Sequence, residues 1–238
     1  MKEREGWLLR VPLFFLLLSV FWVLVHCRPS SISLHPIPSK IERIEGYASI
    51  SITGEQGSGR SKFFFLFQLP SQGRIEVSNI LGRTLYQIII NGERAVFFLP
   101  SKRVYWEGKE EEIINFFLGF RLDLDEMLSL IGGHWEIKKQ NIGNEGDLEN
   151  WNLRRDEKSR VVAGQRGDLR FEIREFLAGS SFPRLLYFYH PLNRGRLKVL
   201  RLGLNRPPKK SGVFSLSFLE NYRRVSWEEI EKILSDEN

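Results

Sequence analysis

Five consecutive apolar residues, FFFLF at positions 63–67, constrain the fold of this chain more than any other feature. They lie within a segment, 60–69, that is rich in β-forming residues. Successive side chains of a strand point to opposite faces of its sheet, so this run offers no polar face to water. A sheet with one solvated face cannot accommodate it. The sequence therefore predicts that other apolar elements cover the second face.

The segments around this run also have the pattern of β-strands. Short strands joined by tight turns favour an antiparallel sheet, and the pair Asn91–Gly92 is typical of a two-residue hairpin turn. The predicted strands span residues 46–56, 60–69, 73–79, 83–91, 94–100 and 103–108, and then about 134–142, 159–163, 168–178, 184–190, 195–204 and 212–218.

Three helices complete the predicted order of elements. Residues 110–120 place apolar side chains at helical spacing. A second helix over 122–133 starts with Asp123 and Glu126 in the positions of a capping box and ends at two glycines. A short third helix starts at Ser226. The chain has 238 residues, 42% of them hydrophobic, which is enough for one domain with a sizeable core.

The first two predicted helices are apolar enough to cover the second face of the sheet and to leave an apolar space beneath them. Methionine and phenylalanine side chains can repack around acyl chains of different shape. A filled core, in which the same side chains pack against one another, explains the pattern equally well. The candidate lining residues are Phe63, Phe65, Phe67, Phe97, Phe116, Phe117, Met127 and Leu130.

The N-terminal segment has the features of a targeting signal. Basic residues flank an apolar run at 11–25, which suits a signal peptide and falls short of the roughly 20 residues that span a bilayer. Cys27, the single cysteine, follows where cleavage is expected, and LVHC resembles a bacterial lipobox. An uncleaved signal anchor is the alternative, because His26 stands where lipoboxes have a small residue. Both alternatives place residues 28–238 outside the cytoplasmic membrane.

The predicted organisation has three parts. Residues 1–26 form a signal peptide, residues 27–40 form a lipidated N-terminus and a flexible tether rich in proline and serine, and residues 41–238 form the folded domain. Two acyl chains on Cys27 would hold the protein on a bilayer, whereas one chain binds only marginally.

Side chains for catalysis or metal binding are not grouped in this sequence. The four histidines are dispersed, no phosphate-binding loop or G-x-S-x-G motif is present, and the single cysteine precedes the folded part. Asp123 and Asp125 form a close pair that helix capping explains. The sequence predicts no catalytic residue, no metal site and no cofactor, and therefore a protein that is not an enzyme.

Positive charge is concentrated near the C-terminus. Residues 194–224 contain nine Lys or Arg residues and one acidic residue, Glu220, a net charge of +8 against +6 for the whole chain. The predicted compartment excludes nucleic acid as a partner. Anionic lipid head groups or an acidic protein would fit such a surface, and a set of solvated strand faces is the simpler alternative.

A turn within residues 78–90 carries two apolar side chains, Ile80 and Leu81, between Asn79 and Gly82. Tight turns ordinarily carry polar or small residues at such positions. Either these side chains are exposed at the tip of the turn, or they fold back onto the core.

Residues 73–133 resemble the central part of LolB-like outer-membrane lipoproteins. The shared pattern is a strand, an N-x-L-G turn, a second strand, a short hairpin and two helices that end in glycine. The similarity extends more loosely through 182–189 and 222–234 and, with Cys27, spans nearly the whole mature chain. The residues that carry it are Asn79, Leu81, Gly82, Leu118, Gly119, Leu128 and Gly133.

The resemblance implies an incomplete, half-open antiparallel β-barrel whose helices close the concave side over a hydrophobic cavity. LolB proteins accept lipoproteins from the LolA carrier, hold their acyl chains and insert them into the outer membrane. By that analogy the protein is a lipid-anchored monomer on the outer membrane, facing the periplasm. The family's membrane-inserting leucine falls on Leu81, and Ile80 replaces a proline. An envelope lipoprotein acting as a non-catalytic interaction scaffold remains the alternative.

Overall fold

In the computed structural model, the described residues belong to one unit and form a single sheet of twelve strands. The predicted signal peptide, Cys27, Ile80 and the predicted strand at 134–142 lie outside the described part of the chain. That part consists of residues 37–54, 57–79, 81–133, 151–207 and 212–236.

The sheet joins both halves of the chain because β1 pairs with β2 on one side and with β11 on the other. The strand order is β12-β6-β5-β4-β3-β2-β1-β11-β10-β9-β8-β7, and the pair β12–β6 is parallel while the others are antiparallel. The strands are β1 Arg43–Gly54, β2 Gly57–Gln68, β3 Gln72–Ser78, β4 Thr84–Asn91, β5 Arg94–Leu99, β6 Val104–Lys109, β7 Asn152–Arg155, β8 Val161–Arg166, β9 Leu169–Phe176, β10 Pro183–Tyr189, β11 Asn193–Leu204 and β12 Arg223–Arg224.

Three helices are described: α1 Glu110–Leu118, α2 Leu124–Gly132 and α3 Trp227–Ser235. The predicted capping box of α2 is confirmed, since Asp123 Oδ1 accepts from the Glu126 backbone N–H at 2.7 Å and Glu126 Oε2 accepts from the Asp123 N–H at 3.0 Å. Gly133 ends this helix at φ 66°, a conformation that favours glycine. These three helices of the described residues have nine residues each, too few for a membrane span.

The two faces of β2 have different covers. Phe65 and Phe67 belong to the large core that also contains buried residues of α1 and α2. We call the side of the sheet to which Phe65 and Phe67 point the inner face, and we call the opposite side the outer face. The structure thus confirms the predicted fold class: a mainly β, half-open antiparallel barrel with helices on its concave side over an apolar cavity.

The outer face is partly covered by a segment for which the sequence prediction was wrong. Residues 212–218 were expected to form a strand, but the segment contains turns and a 3₁₀-helix, Ser217–Asn221. Its apolar side chains pack across the outer face instead of extending the sheet, as Phe218 does against Phe98 with ring centroids 4.7 Å apart. The edge of β6 is paired instead by β12. Strand β7 was also missed, because it follows residues predicted as a loop.

Candidate functional site

A cavity of about 240 Å³ lies between the inner face and the helices α1 and α2. Strands β1 to β4 and β9 to β11 contribute side chains to its wall. Ser61 and Tyr86 supply hydroxyl groups, and the other lining side chains are aliphatic, aromatic or the thioether of Met127. The volume exceeds the ~150 Å³ of a cavity that holds benzene, so the space suits a short hydrocarbon chain or the end of a longer one.

Strand alternation explains how the wall is assembled. Ile50 on β1 is paired with Ser61 on β2 and with Leu197 on β11, and all three line the cavity. Because directly paired residues share a face of the sheet, one row of the ladder carries residues from three strands to the same wall.

Five of the eight predicted lining residues meet at this cavity: Phe63, Phe67, Phe117, Met127 and Leu130. The remaining three do not line it. Several wall residues were absent from the sequence-based set, among them Ile50, Ile52, Ile88, Phe188 and Leu197. Strand alternation already placed Ile50 and Ile52 on one face, whereas pairing with β1 is what brings Leu197 to the cavity.

Phe65, Phe97 and Phe116 lie elsewhere for distinct packing reasons. The ring of Phe65 occupies space over Gly46, where a Cβ atom would come within 2.7 Å of it. Phe97 is fully buried behind the cavity wall, with its ring centroid 5.5 Å from that of Phe117. Phe116 is exposed on α1 and stacks on Trp227 at 3.9 Å, an arrangement that attaches α3.

Burial changes along the cavity and indicates where it opens. At the end near the β1–β2 and β3–β4 turns, Ile52 and Phe63 are half-buried and Gly59 is exposed. Toward the opposite end, Phe67 and Ile113 are fully buried. The mouth of the cavity therefore faces the end of the sheet at which these turns lie.

Leu81 lies in the β3–β4 turn at this end and is 76% exposed. The side chain of Asn79 holds the turn, because its Oδ1 accepts hydrogen bonds from the backbone N–H groups of Leu81 and Arg83, both at 3.0 Å. Gly82 follows at φ 76°, where residues with a side chain are strained. Ile80 lies outside the described residues.

A second leucine is exposed at the same end of the sheet. Leu192, in the turn between β10 and β11, is 54% exposed. The next residue, Asn193, donates from its Nδ2 to the carbonyl oxygen of Leu118 at 3.0 Å. This bond ties the C-terminus of α1, part of the cavity roof, to the turn that carries Leu192.

Burial raises the pKa of several titratable groups around the cavity. Burial raises the pKa of the Tyr86 hydroxyl to about 12, so this group is uncharged at neutral pH. Burial also raises the pKa of Glu110, at the start of α1, to about 7. Glu126, in the first turn of α2, is buried and accepts hydrogen bonds from the indole Nε1–H of Trp151 at 2.8 Å and from Arg166.

Burial raises the pKa of Glu126, against the opposing effect of these donors. Within the described ranges, no group of three or more His, Cys, Asp or Glu side chains is placed to hold a metal ion. What the arrangement offers chemically is an apolar, uncharged space with one open end.

Comparison with known proteins shows similarity in fold. No protein-family model matches the sequence, and no curated protein matches it. A DUF1329 family protein from Desulfovibrio piger superposes with a TM-score of 0.51 at 9% identity, covering 76% of this chain and 92% of that one. This likeness concerns the fold alone.

Two other solved structures superpose with lower scores. One is a LolA superfamily protein from Nitrosomonas europaea, with a TM-score of 0.44 at 10% identity over 76% of this chain and 94% of that one. The other is a domain from Vibrio parahaemolyticus named for outer-membrane lipoprotein sorting, with a TM-score of 0.46 at 8% identity over 76% and 93% of the two chains.

Proposed function

We propose that this protein accepts lipoproteins through their acyl chains and inserts them into the outer membrane, as LolB-like proteins do. The observation that supports the proposal is the apolar cavity between sheet and helices, which opens at the end of the sheet that carries Leu81. The proposal includes a LolA-like periplasmic carrier as donor, an anchor at acylated Cys27, and a monomer facing the periplasm. Mass spectrometry of the mature N-terminus tests the anchor.

Hydrocarbon burial supplies enough free energy for such a cycle without covalent chemistry. Each buried methylene group contributes about 0.8 kcal/mol, so a few methylene groups in the cavity give a measurable but reversible affinity. Transfer requires only that the chain have a higher affinity for the next site than for the previous one. A cavity with a half-exposed mouth suits both uptake and release.

The cavity is tested by blocking its mouth. Gly59 lines the cavity near its open end, and a Cβ atom added there meets no other atom within 4 Å. We expect Gly59→Phe to fill the mouth without disturbing the sheet. If the new ring displaces two methylene groups of a bound acyl chain from the cavity, binding of that chain weakens by about 1.6 kcal/mol, which is roughly a tenfold loss of affinity. The matched control is Ser58→Phe, one residue earlier and on the outer face.

The measurement is cross-linking by an acylated peptide with a photoreactive group on its chain, added to the full chain in nanodiscs. Cross-links mapped by mass spectrometry should fall on cavity residues such as Met127. Their yield should drop about tenfold in Gly59→Phe and stay unchanged in Ser58→Phe. Equal yields in both variants, or cross-links outside the cavity, would refute acyl-chain binding and favour the interaction scaffold.

Insertion into the membrane is tested separately at Leu81. A leucine side chain that enters lipid contributes roughly 1.5–3 kcal/mol, which biases docking without anchoring the protein. We expect Leu81→Glu to slow lipoprotein transfer into vesicles and to leave peptide cross-linking intact. Ile37→Glu, at an exposed aliphatic residue that precedes β1 and lies outside the turns, is the control. Normal transfer by a folded Leu81→Glu variant would contradict this role.

A further inference from the structure

Two neighbouring rows of cations cross the outer face of the sheet. Arg60 and Lys62 belong to β2, and Arg194, Arg196 and Lys198 belong to β11. Between the two rows lie the short side chains of Ser49, Ser51 and Thr53 on β1. We call this set of five side chains the outer strip.

The strand register places all five side chains on one surface. Ser49 of β1 is paired with Lys62 and with Lys198, and Ser51 is paired with Arg60 and with Arg196. Ile50 and Ile52, which alternate with these serines along β1, line the cavity. The serines and the cations paired with them therefore point to the outer face. Two strand spacings separate the rows by roughly 10 Å, and the strip extends about 13 Å along the strands.

The cations of the outer strip form no ion pair within the part of the chain that the structure describes. Other cations of the basic C-terminal segment differ in this respect. Arg223 is bridged to Glu229 at 2.5 Å, and Arg224 lies 3.9 Å from Glu107. Arg223 and Arg224 are therefore paired with carboxylates, whereas Arg194, Arg196 and Lys198 add to the cations of β2.

Aromatic and apolar side chains border the outer strip on the side of β10. Tyr187 and Tyr189 are paired with Arg196 and Arg194 and are half-buried. Leu192 is exposed in the turn that leads from β10 into β11. Tyrosine is enriched where a bilayer meets water, and basic residues near such a surface attract anionic lipids. Cations, bordering tyrosines and an exposed leucine together are typical of a surface that contacts an anionic bilayer.

We propose that the outer strip docks the protein onto the phosphate-bearing head groups of an anionic lipid bilayer. The contact involves the outer face and not the cavity, so it does not depend on acyl-chain binding. It would hold the hairpin turns close to the membrane surface and would weaken as salt screens the charges.

The test uses the full chain reconstituted into vesicles of phosphatidylcholine, with or without phosphatidylglycerol. An amine-reactive reagent is applied, and the modification rate of each lysine is read by mass spectrometry. Lys62 and Lys198 should react severalfold more slowly in the anionic vesicles. The exposed Lys158 and Lys232, outside the strip, should react at the same rate in both. In 1 M salt, where the Debye length is about 3 Å, the protection should disappear.

A charge-matched pair of variants separates placement from total charge. Arg60→Gln/Arg196→Gln removes two strip cations, and Arg154→Gln/Lys158→Gln removes two exposed cations elsewhere. Each basic residue near an anionic surface contributes to the free energy of membrane binding. The loss of two strip cations should therefore weaken docking about 30-fold. Arg154→Gln/Lys158→Gln should dock like the unmodified chain.

Three results would overturn the proposal. The first is equal lysine rates in neutral and anionic vesicles, which would leave an acidic protein as the partner of the strip. The second is slowing at Lys232 equal to that at Lys62. The third is protection of Lys62 in the Arg60→Gln/Arg196→Gln variant as strong as in the unmodified chain. Circular dichroism of both variants establishes that they are folded.

Discussion

Replacement of Glu126 should destabilise the roof of the cavity more than replacement of any exposed carboxylate. Its side chain is 1% exposed. One carboxylate oxygen accepts from Trp151 and Arg166, and the other accepts from the backbone of Asp123. Arg166 also donates to the carbonyl oxygen of Arg121 at 2.8 Å. Glu126 thus joins α2 to the end of β8 and to the loop between α1 and α2.

The structure sets the size of the effect for Glu126→Leu. Breaking a buried ion pair by removing one partner typically costs about 3–5 kcal/mol, because the other charge is left unpaired. The side chain of Arg166 is 22% exposed, so water can partly replace the lost carboxylate. The indole N–H of Trp151 loses its hydrogen bond to the Glu126 carboxylate in the same step. We therefore expect a loss of about 3 kcal/mol, near the lower end of that range.

The assay is urea unfolding of the full chain, followed by circular dichroism. Glu157→Leu is the control, since Glu157 is exposed in the turn before β8 and its replacement should change stability by less than about 0.5 kcal/mol. Glu126→Leu/Arg166→Met should recover part of the loss, because it removes the unpaired charge. If Glu126→Leu is as stable as the unmodified chain, the network does not hold the roof in place.

Three further predictions concern the helices and the sheet. The folded-state pKa of Glu110, about 7, lies above its ordinary value of 4.5, so its contribution to stability is complete below pH 4.5 and is lost as pH rises through about 7. Urea titrations should show a loss of about 1–2 kcal/mol, reduced for partial exposure, and Glu110→Gln should abolish it. Gly46→Ala places a Cβ atom 2.2 Å from a backbone oxygen and 2.7 Å from the ring of Phe65, so its melting temperature should fall while that of Gly59→Ala stays unchanged. Trp227→Ala should cost about 2–3 kcal/mol in urea unfolding, less than a fully buried aromatic, because this half-buried indole attaches α3 through stacked rings.

Local signals account for the parts of the fold that were predictable from the sequence. The capping box at Asp123 and the apolar alternation around β2 depend on residues within a few positions of one another, and the structure has both. The segment 212–218 has strand-forming residues and no strand, because its apolar side chains bind a surface formed by distant strands. Local propensity contains no information about such a surface.

The site was less predictable because it depends on register between distant strands. The position of Leu197 in the cavity wall, and of Lys62 beside Lys198 on the outer face, follow from the pairing of β1 with both β2 and β11. More than 130 residues separate Lys62 from Lys198 in the chain. Three of the phenylalanines predicted to line the cavity do not line it. An aromatic ring in a strand can equally well fill the space above a glycine, as Phe65 does over Gly46.

The relative positions of the mouth and the two exposed leucines bear on how an acyl chain would leave the cavity under the proposed function. Each methylene group that passes through water loses about 0.8 kcal/mol of burial, so a long chain released into solution would meet a high barrier. The turns that carry Leu81 and Leu192 lie at the end of the sheet toward which the cavity opens. If these side chains enter the bilayer, the mouth meets hydrocarbon and the chain exchanges one apolar environment for another. The barrier to release then depends on the orientation of the domain on the membrane, and a cavity of modest affinity suffices.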